Sequence, residues 1–224
     1  VIVAGDVKAA EVFPLIEKTY GGWKPGQVPD LPPAKPLDGP KRGHVDWDSD
    51  VAPRIAYAYR VPPLRPGTAE SSVLLLLPEL IGSETAPLYQ KLRYEKKVAT
   101  DMYVDGRSSQ GFDSRLLEAG VRLEKSLFRE RGKGLLDEVE KDIEAGLDEL
   151  KAFSRRPDAA ETLAATQSKF RYDLLGTLNS PHSIAATLAW YYRSSRDLHV
   201  LDSLVEGVSK LTPGDIDAFA AKHF

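Results

Sequence analysis

Metallohydrolase chemistry needs ligands close together, and the four histidines of this 224-residue chain are scattered: His44, His182, His199 and His223. None lies within a helical turn of another, so neither H-x-x-H nor H-x-x-E-H occurs. There is no cysteine, which removes thiol catalysis, disulfides and cysteine-ligated zinc together. The acidic run D-E-V-E-K-D-I-E at residues 137–144 puts Glu140 and Glu144 on one helix face. With no histidine or third ligand nearby, it reads as a solvated surface. The serine pairs at 71–72 and 108–109 have no histidine close in sequence, and G-x-S-x-G is missing. No glycine-rich phosphate loop occurs either. By its local motifs the chain is catalytically empty, with no catalytic residue and no metal ligand to name.

A group of another kind stands in L-Y-Q-K-L-R-Y-E-K-K-V-A-T-D-M-Y-V, residues 88–104. Leu88 and Leu92, four apart, commit one side of a helix to the core. Arg93 at its end is then free to point elsewhere, with the five donors of its guanidinium. The bland assignment pairs it with Glu95, another surface acid or its own helix C-terminus.

The elements that must position these residues follow from periodicity. V-I-V-A-G-D (residues 1–6) reads as a buried strand already under way, as if the chain were cut from something longer. Asp6 is placed to cap a helix over residues 7–20 with Pro14 inside it. Residues 21–40 hold six prolines and four glycines, an extended surface strap. Alternation predicts strands at 44–48 and 54–61. Thr68 caps a core helix containing V-L-L-L-L (73–77), and a second helix carries Leu88 and Leu92. Residues 98–104 read as a strand and 111–126 as two more around Gly120. Leu136, Val139, Ile143, Leu147 and Leu150 form one apolar helical stripe. Further helices begin near Pro157, at Ser180-Pro181 and at Thr212-Pro213, and T-P-G-D (212–215) resembles a capping box. Short links between strands point to an antiparallel or mixed sheet with helices on one face. The fold class is α+β, in a single domain spanning 1–224.

Bulk properties narrow the partners. Thirty basic against 33 acidic side chains give a net charge of −3, a poor footprint for nucleic acid. No run approaches the ~18 apolar residues of a membrane span. The composition selects no compartment.

Several stretches resemble one family in the same order. V-I-V-A-G-D-V-K-A-A-E-V-F-P-L-I-E-K-T-Y-G-G-W (1–23) is similar to the segment after the catalytic domain in the insulinase, pitrilysin and mitochondrial-processing-peptidase family of zinc metallopeptidases. The proline-rich strap follows there too. L-Y-Q-K-L-R-Y-E-K-K-V-A-T (88–100) resembles the family's L-Y-x-x-L-R signature, and L-T-P-G-D-I-D-A-F-A-A-K-H-F (211–224) its closing helix. The resemblance implies a mainly antiparallel sheet with helices packed on one face, the LuxS/MPP-like metallohydrolase fold. It also implies an inactive copy of that fold, directly after a catalytic domain in a longer chain. This copy would form half of a peptide-enclosing chamber. Zinc would belong to the separate H-x-x-E-H domain or subunit, with a peptide as substrate.

Family members that grip substrate with an arginine–tyrosine pair place the tyrosine seven residues after the arginine. Arg93 matches, but the seventh residue on is Thr100, whose hydroxyl would donate more weakly. Strict alternation would put Tyr103 on the opposite face from Thr100. Arg93 and Thr100 are therefore the expected substrate-binding residues. The rival readings are a non-proteolytic scaffold module of the same fold and a self-contained hydrolase assembled from distant Ser, His and Asp.

Overall fold

The computed structural model describes residues 1–27, 35, 37–106 and 115–224. Alternation in R-I-A-Y-A-Y-R-V produces β1 (Arg54–Val61), whose Ile55 and Val61 are buried and whose Arg54, Ala56, Ala58 and Arg60 are exposed. β1 lies antiparallel to β3 (Arg115–Leu123), which pairs antiparallel with β2 (Ala99–Asp105) on its other side, in the order β1-β3-β2. Leu117, Ala119, Val121 and Leu123 turn the inner face of β3 into core.

Helices close that inner face. Helix α2 (Ala69–Gly82) is apolar nearly all round, as a helix packed on several sides must be. It touches β2, the helices α6 (Ala159–Thr177) and α8 (Val200–Ser209), and α9 (Pro213–His223). Its first turn is capped by Thr68, whose hydroxyl accepts from the Ser71 amide at 3.4 Å. At α9 the Thr212 amide donates to the Asp215 carboxylate at 2.7 Å, completing a capping box. Ser180 likewise caps α7 (Pro181–Ser195). Helix α3 (Pro87–Tyr89) runs into a π-helical turn (Gln90–Glu95) and buries Leu88 and Leu92. Helix α5 (Lys133–Glu149) crosses it where Gly146 meets Leu88; a β-carbon there would come within 3.1 Å of both leucine δ-carbons. Leu135, Val139, Ile143 and Leu147 form the buried stripe of α5, with Leu136 only partly covered.

Several expectations fail. Residues 1–6 lie in no strand, and Val1 and Val3 are exposed. Helix α1 (Ala9–Tyr20) starts two residues later than expected; Lys8, not Asp6, is at its N-cap, and no side chain caps it. Residues 44–48 are also irregular, with Val45 and Trp47 exposed. A strand needs a neighbour for its peptide groups, and alternation alone supplies none. The two strands expected around Gly120 are one unbroken strand, because the Tyr103 ring covers the bare glycine and no turn forms. After it, Glu124 caps a helix, α4 (Lys125–Arg131), where a strand was expected. Part of the strap (28–34 and 36) and Ser108 and Ser109 lie outside the described residues.

Candidate functional site

The helix end at Arg93 and the strand start at Thr100 are joined by a tight reversal. Lys97 takes a left-handed conformation (φ 56°), and the Val98 amide donates back to the Leu92 carbonyl at 3.0 Å. The reversal brings Arg93 onto the strand: its Nη1 donates to the Ala99 carbonyl at 3.3 Å. Among the described residues Arg93 makes no ion pair, so neither Glu95 nor another acid holds it. Thr100 sits next to the same peptide unit, and its hydroxyl donates to the Arg122 carbonyl at 3.3 Å. The two expected substrate-binding residues are thus neighbours, each already making one backbone hydrogen bond.

Thr100 also occupies a β-bulge. Ala99 pairs with Leu123 and Asp101 with Arg122, leaving Thr100 as the extra residue. The bulge breaks alternation: Ala99 and Met102, three apart, are both buried. It moves Tyr103 to the outer face, opposite Gly120, so the expectation from strict alternation is wrong. On that face the Arg54 guanidinium lies over the Tyr103 ring, 5.9 Å from its centroid. Arg122 and Asp101 approach to 3.9 Å. This open sheet face is the candidate site, with Thr100 at the start of its edge strand β2 and Arg93 bonded to the neighbouring Ala99 carbonyl.

The other basic residues of the helix end serve packing. Lys91 and Lys96 both reach Asp142 on α5, at 2.8 and 2.5 Å, and Lys96 also meets Glu138 at 3.0 Å. Burial pushes the Asp142 carboxyl up, but hydrogen bonds from Lys91 and Lys96 outweigh it and hold the group below the ordinary aspartate range. The bond to Asp142 in turn raises Lys96.

Two titratable groups were not singled out by the sequence. Burial, reinforced by Glu140 and Glu144, pushes the Tyr57 phenol up to about 12, and its hydroxyl has no hydrogen-bond partner among the described residues. Glu140 is not freely solvated: Arg42 holds it at 2.5 Å. His223 is nearly buried against Phe219, and burial lowers its pKa despite Glu70 at 3.7 Å.

Nothing here forms a metal site. Among the described residues no group of three or more His, Asp or Glu side chains is placed to hold an ion, so the residues present do not fit zinc. His44 pairs with Asp46 and His199 approaches Asp202, both in the open. The Ser71 hydroxyl accepts from the Arg65 amide at 2.7 Å, a local turn contact rather than a nucleophile's. A shallow groove of about 540 Å³ lined by Pro87, Glu149, Ala152, Arg155, Arg156 and Pro157 contains neither Arg93 nor Thr100. No helix is long and apolar enough to cross a membrane among the described residues.

Residues 1–153 match the family described as the Peptidase M16 inactive domain. The chain belongs to that family. Among curated proteins nothing matches it. Similar solved structures include a protease from Helicobacter pylori, with a TM-score of 0.72 and 20% identity over 99% of this chain and 51% of that one. A peptidase M16 inactive domain from Pseudomonas fluorescens gives 0.67 at 15% identity, over 98% of this chain and 49% of that one. The inactive peptidase domain of a candidate zinc protease from Bordetella parapertussis gives 0.60 at 18%, over 77% and 84%. At these identities the likeness is one of fold: helices on a small antiparallel sheet. The chain spans about half the length of the first two.

Proposed function

We propose that this M16 inactive domain is one wall of a peptide-enclosing chamber in a zinc metallopeptidase. A separate domain or subunit carrying H-x-x-E-H, placed upstream in the parent chain, holds the zinc and cuts the peptide. The observation that carries the reading is the match to an inactive peptidase domain over residues 1–153, in a chain whose described residues bring no three metal-ligating side chains together. The open outer face of the sheet is the surface with which such a wall would meet a peptide. Arg93 and Thr100 lie together where β2 begins, and either can turn a donor from the backbone to a peptide carbonyl or carboxylate.

The test is reconstitution. The chain is mixed with its catalytic half, and association is followed by sedimentation alongside peptide cleavage. Association with restored cleavage supports the chamber role; two halves that neither associate nor regain cleavage overturn it. In the restored enzyme Arg93→Ala is expected to lower peptide turnover by ~10-fold or more, the scale of a lost charged hydrogen bond. Unchanged turnover with a melting temperature lowered by several degrees would make Arg93 structural.

A further inference from the structure

The outer sheet face contains a pairing that strand stability alone disfavours. Arg54 and Arg122 stand directly opposite each other in the β1–β3 register, where like charges repel. Asp101, across from Arg122 on β2, lies 3.9 Å from it and offsets only one of the two charges. Arg54 has no carboxylate partner among the described residues. Its guanidinium rests instead over the Tyr103 ring, 5.9 Å from the centroid, and keeps its five N–H donors.

Beside this pair the sheet is low. The next row across the strands is Ala56, Gly120 and Tyr103. A β-carbon on Gly120 would collide with the Tyr103 ring, so the ring lies close over the backbone of the central strand. Ala56 and the exposed Ala58 rise only a methyl group above β1, and the acidic residues of this face beyond the floor, Glu118 and Asp105, stand in the row of Ala58, away from the arginine pair. An extended backbone can therefore approach closely, with two forked guanidiniums standing at one end of the floor.

We infer that the outer face binds an extended peptide through an acidic side chain, its carboxylate held between Arg54 and Arg122. Charge complementarity selects this occupant. The carboxylate relieves the repulsion between the arginines, and it can accept paired N–H bonds from both. The backbone on either side of the acidic residue lies over the floor of Ala56, Gly120 and the Tyr103 ring. The assignment rests on reading this face as a chamber wall, and adds what that wall selects.

Fluorescence anisotropy at low salt tests it, using the full chain and a short labelled peptide with one central glutamate. The same peptide with glutamine or lysine at that position is the comparison. The glutamate peptide is expected to bind about tenfold more tightly than the glutamine one, the scale of a charged hydrogen bond. Arg54→Gln and Arg122→Gln each abolish that preference with little change in melting temperature, since both side chains are exposed. Arg60→Gln, the same charge loss at the far end of β1, keeps it. Equal binding of the peptides, no binding, a preference that survives both substitutions or falls equally with Arg60→Gln, or tighter binding of a single-stranded oligonucleotide would each overturn the site. Those outcomes leave the chamber role untouched, because restored cleavage with the catalytic half reads that role. Conversely, an intact glutamate preference without restoration keeps the site and removes the chamber.

Discussion

Helices α1 and α9 are nearly the same length, 12 and 11 residues, and both carry an apolar face. Helix α9 buries Ile216, Phe219 and Ala220 and ends in Phe224, whose ring meets Tyr59 at 5.0 Å. Helix α1 buries nothing, and Phe13 remains 67% exposed. Their ion pairs differ in the same way. In the N-terminal region Asp50 reaches Lys125 and Arg129 at 2.7 and 2.6 Å but stays open to water. In the body Asp142 is 7% exposed between two lysines. An apolar face or a charged pair stabilises only to the extent that a partner removes it from water.

The sharpest way to break this comparison is to truncate one phenylalanine from each region. Phe153 is fully buried, and Phe153→Ala is expected to cost about 3–5 kcal/mol in urea unfolding. Phe13→Ala should stay within about 0.5 kcal/mol. Comparable losses would mean that α1 is packed in solution.

The two aspartates give a smaller contrast. Asp142→Asn should cost about 1–3 kcal/mol at neutral pH, because two lysines lose a buried charged partner. Asp50→Asn should hardly register. The pH dependence has a definite sign. Hydrogen bonds from the lysines lower the folded-state pKa of Asp142 below its unfolded value despite burial. Its contribution is therefore complete above about pH 4, the ordinary carboxyl range, and is lost as pH falls through the lower folded value. Acid unfolding followed by circular dichroism should be less steep in Asp142→Asn. An identical profile would show that the lysines are bonded elsewhere.

Within the body, Gly120→Ala forces the Tyr103 ring off the strand and should cost on the order of 1 kcal/mol. Adding Tyr103→Ala should recover most of it in a double-mutant cycle. A loss that Tyr103→Ala does not relieve would place the strain in the backbone.

The body was the legible part of the sequence because its signals are local. Alternation marked β1 with its observed limits, Thr68 and Ser180 announced their helices through hydroxyls that do accept amides, and Thr212 announced its helix through the capping box with Asp215. Helix α8 was overlooked although Val200, Leu204 and Val208, four apart, carry its buried stripe. The N-terminal strands were over-read because a period of two describes a side chain's neighbours and leaves the backbone's partners unspecified. The candidate site was half legible. Arg93 and Thr100 were marked by a family motif, but no glycine or proline announces the bulge at Thr100. It arises from register against β3, so the arginine pair and Tyr103 on one face could not be read from spacing.

The smallest effect tests the hinge between those halves of the site. Lys97 is held at φ 56°, a conformation that costs a residue with a β-carbon on the order of 1 kcal/mol and glycine almost nothing. The hydrogen bond from the Val98 amide to the Leu92 carbonyl fixes it there, since the chain must reverse before β2 can begin. Lys97→Gly should therefore stabilise the chain by about 0.5–1 kcal/mol, less whatever glycine adds to the freedom of the unfolded state. Because the backbone path is unchanged, Arg93 should still reach the Ala99 carbonyl, and turnover in the reconstituted enzyme should not move. A drop in stability would mean that the lysine side chain contributes a contact worth more than the backbone strain. A gain in stability with a fall in turnover would mean that the strained reversal itself sets the angle between Arg93 and Thr100 that the peptide needs.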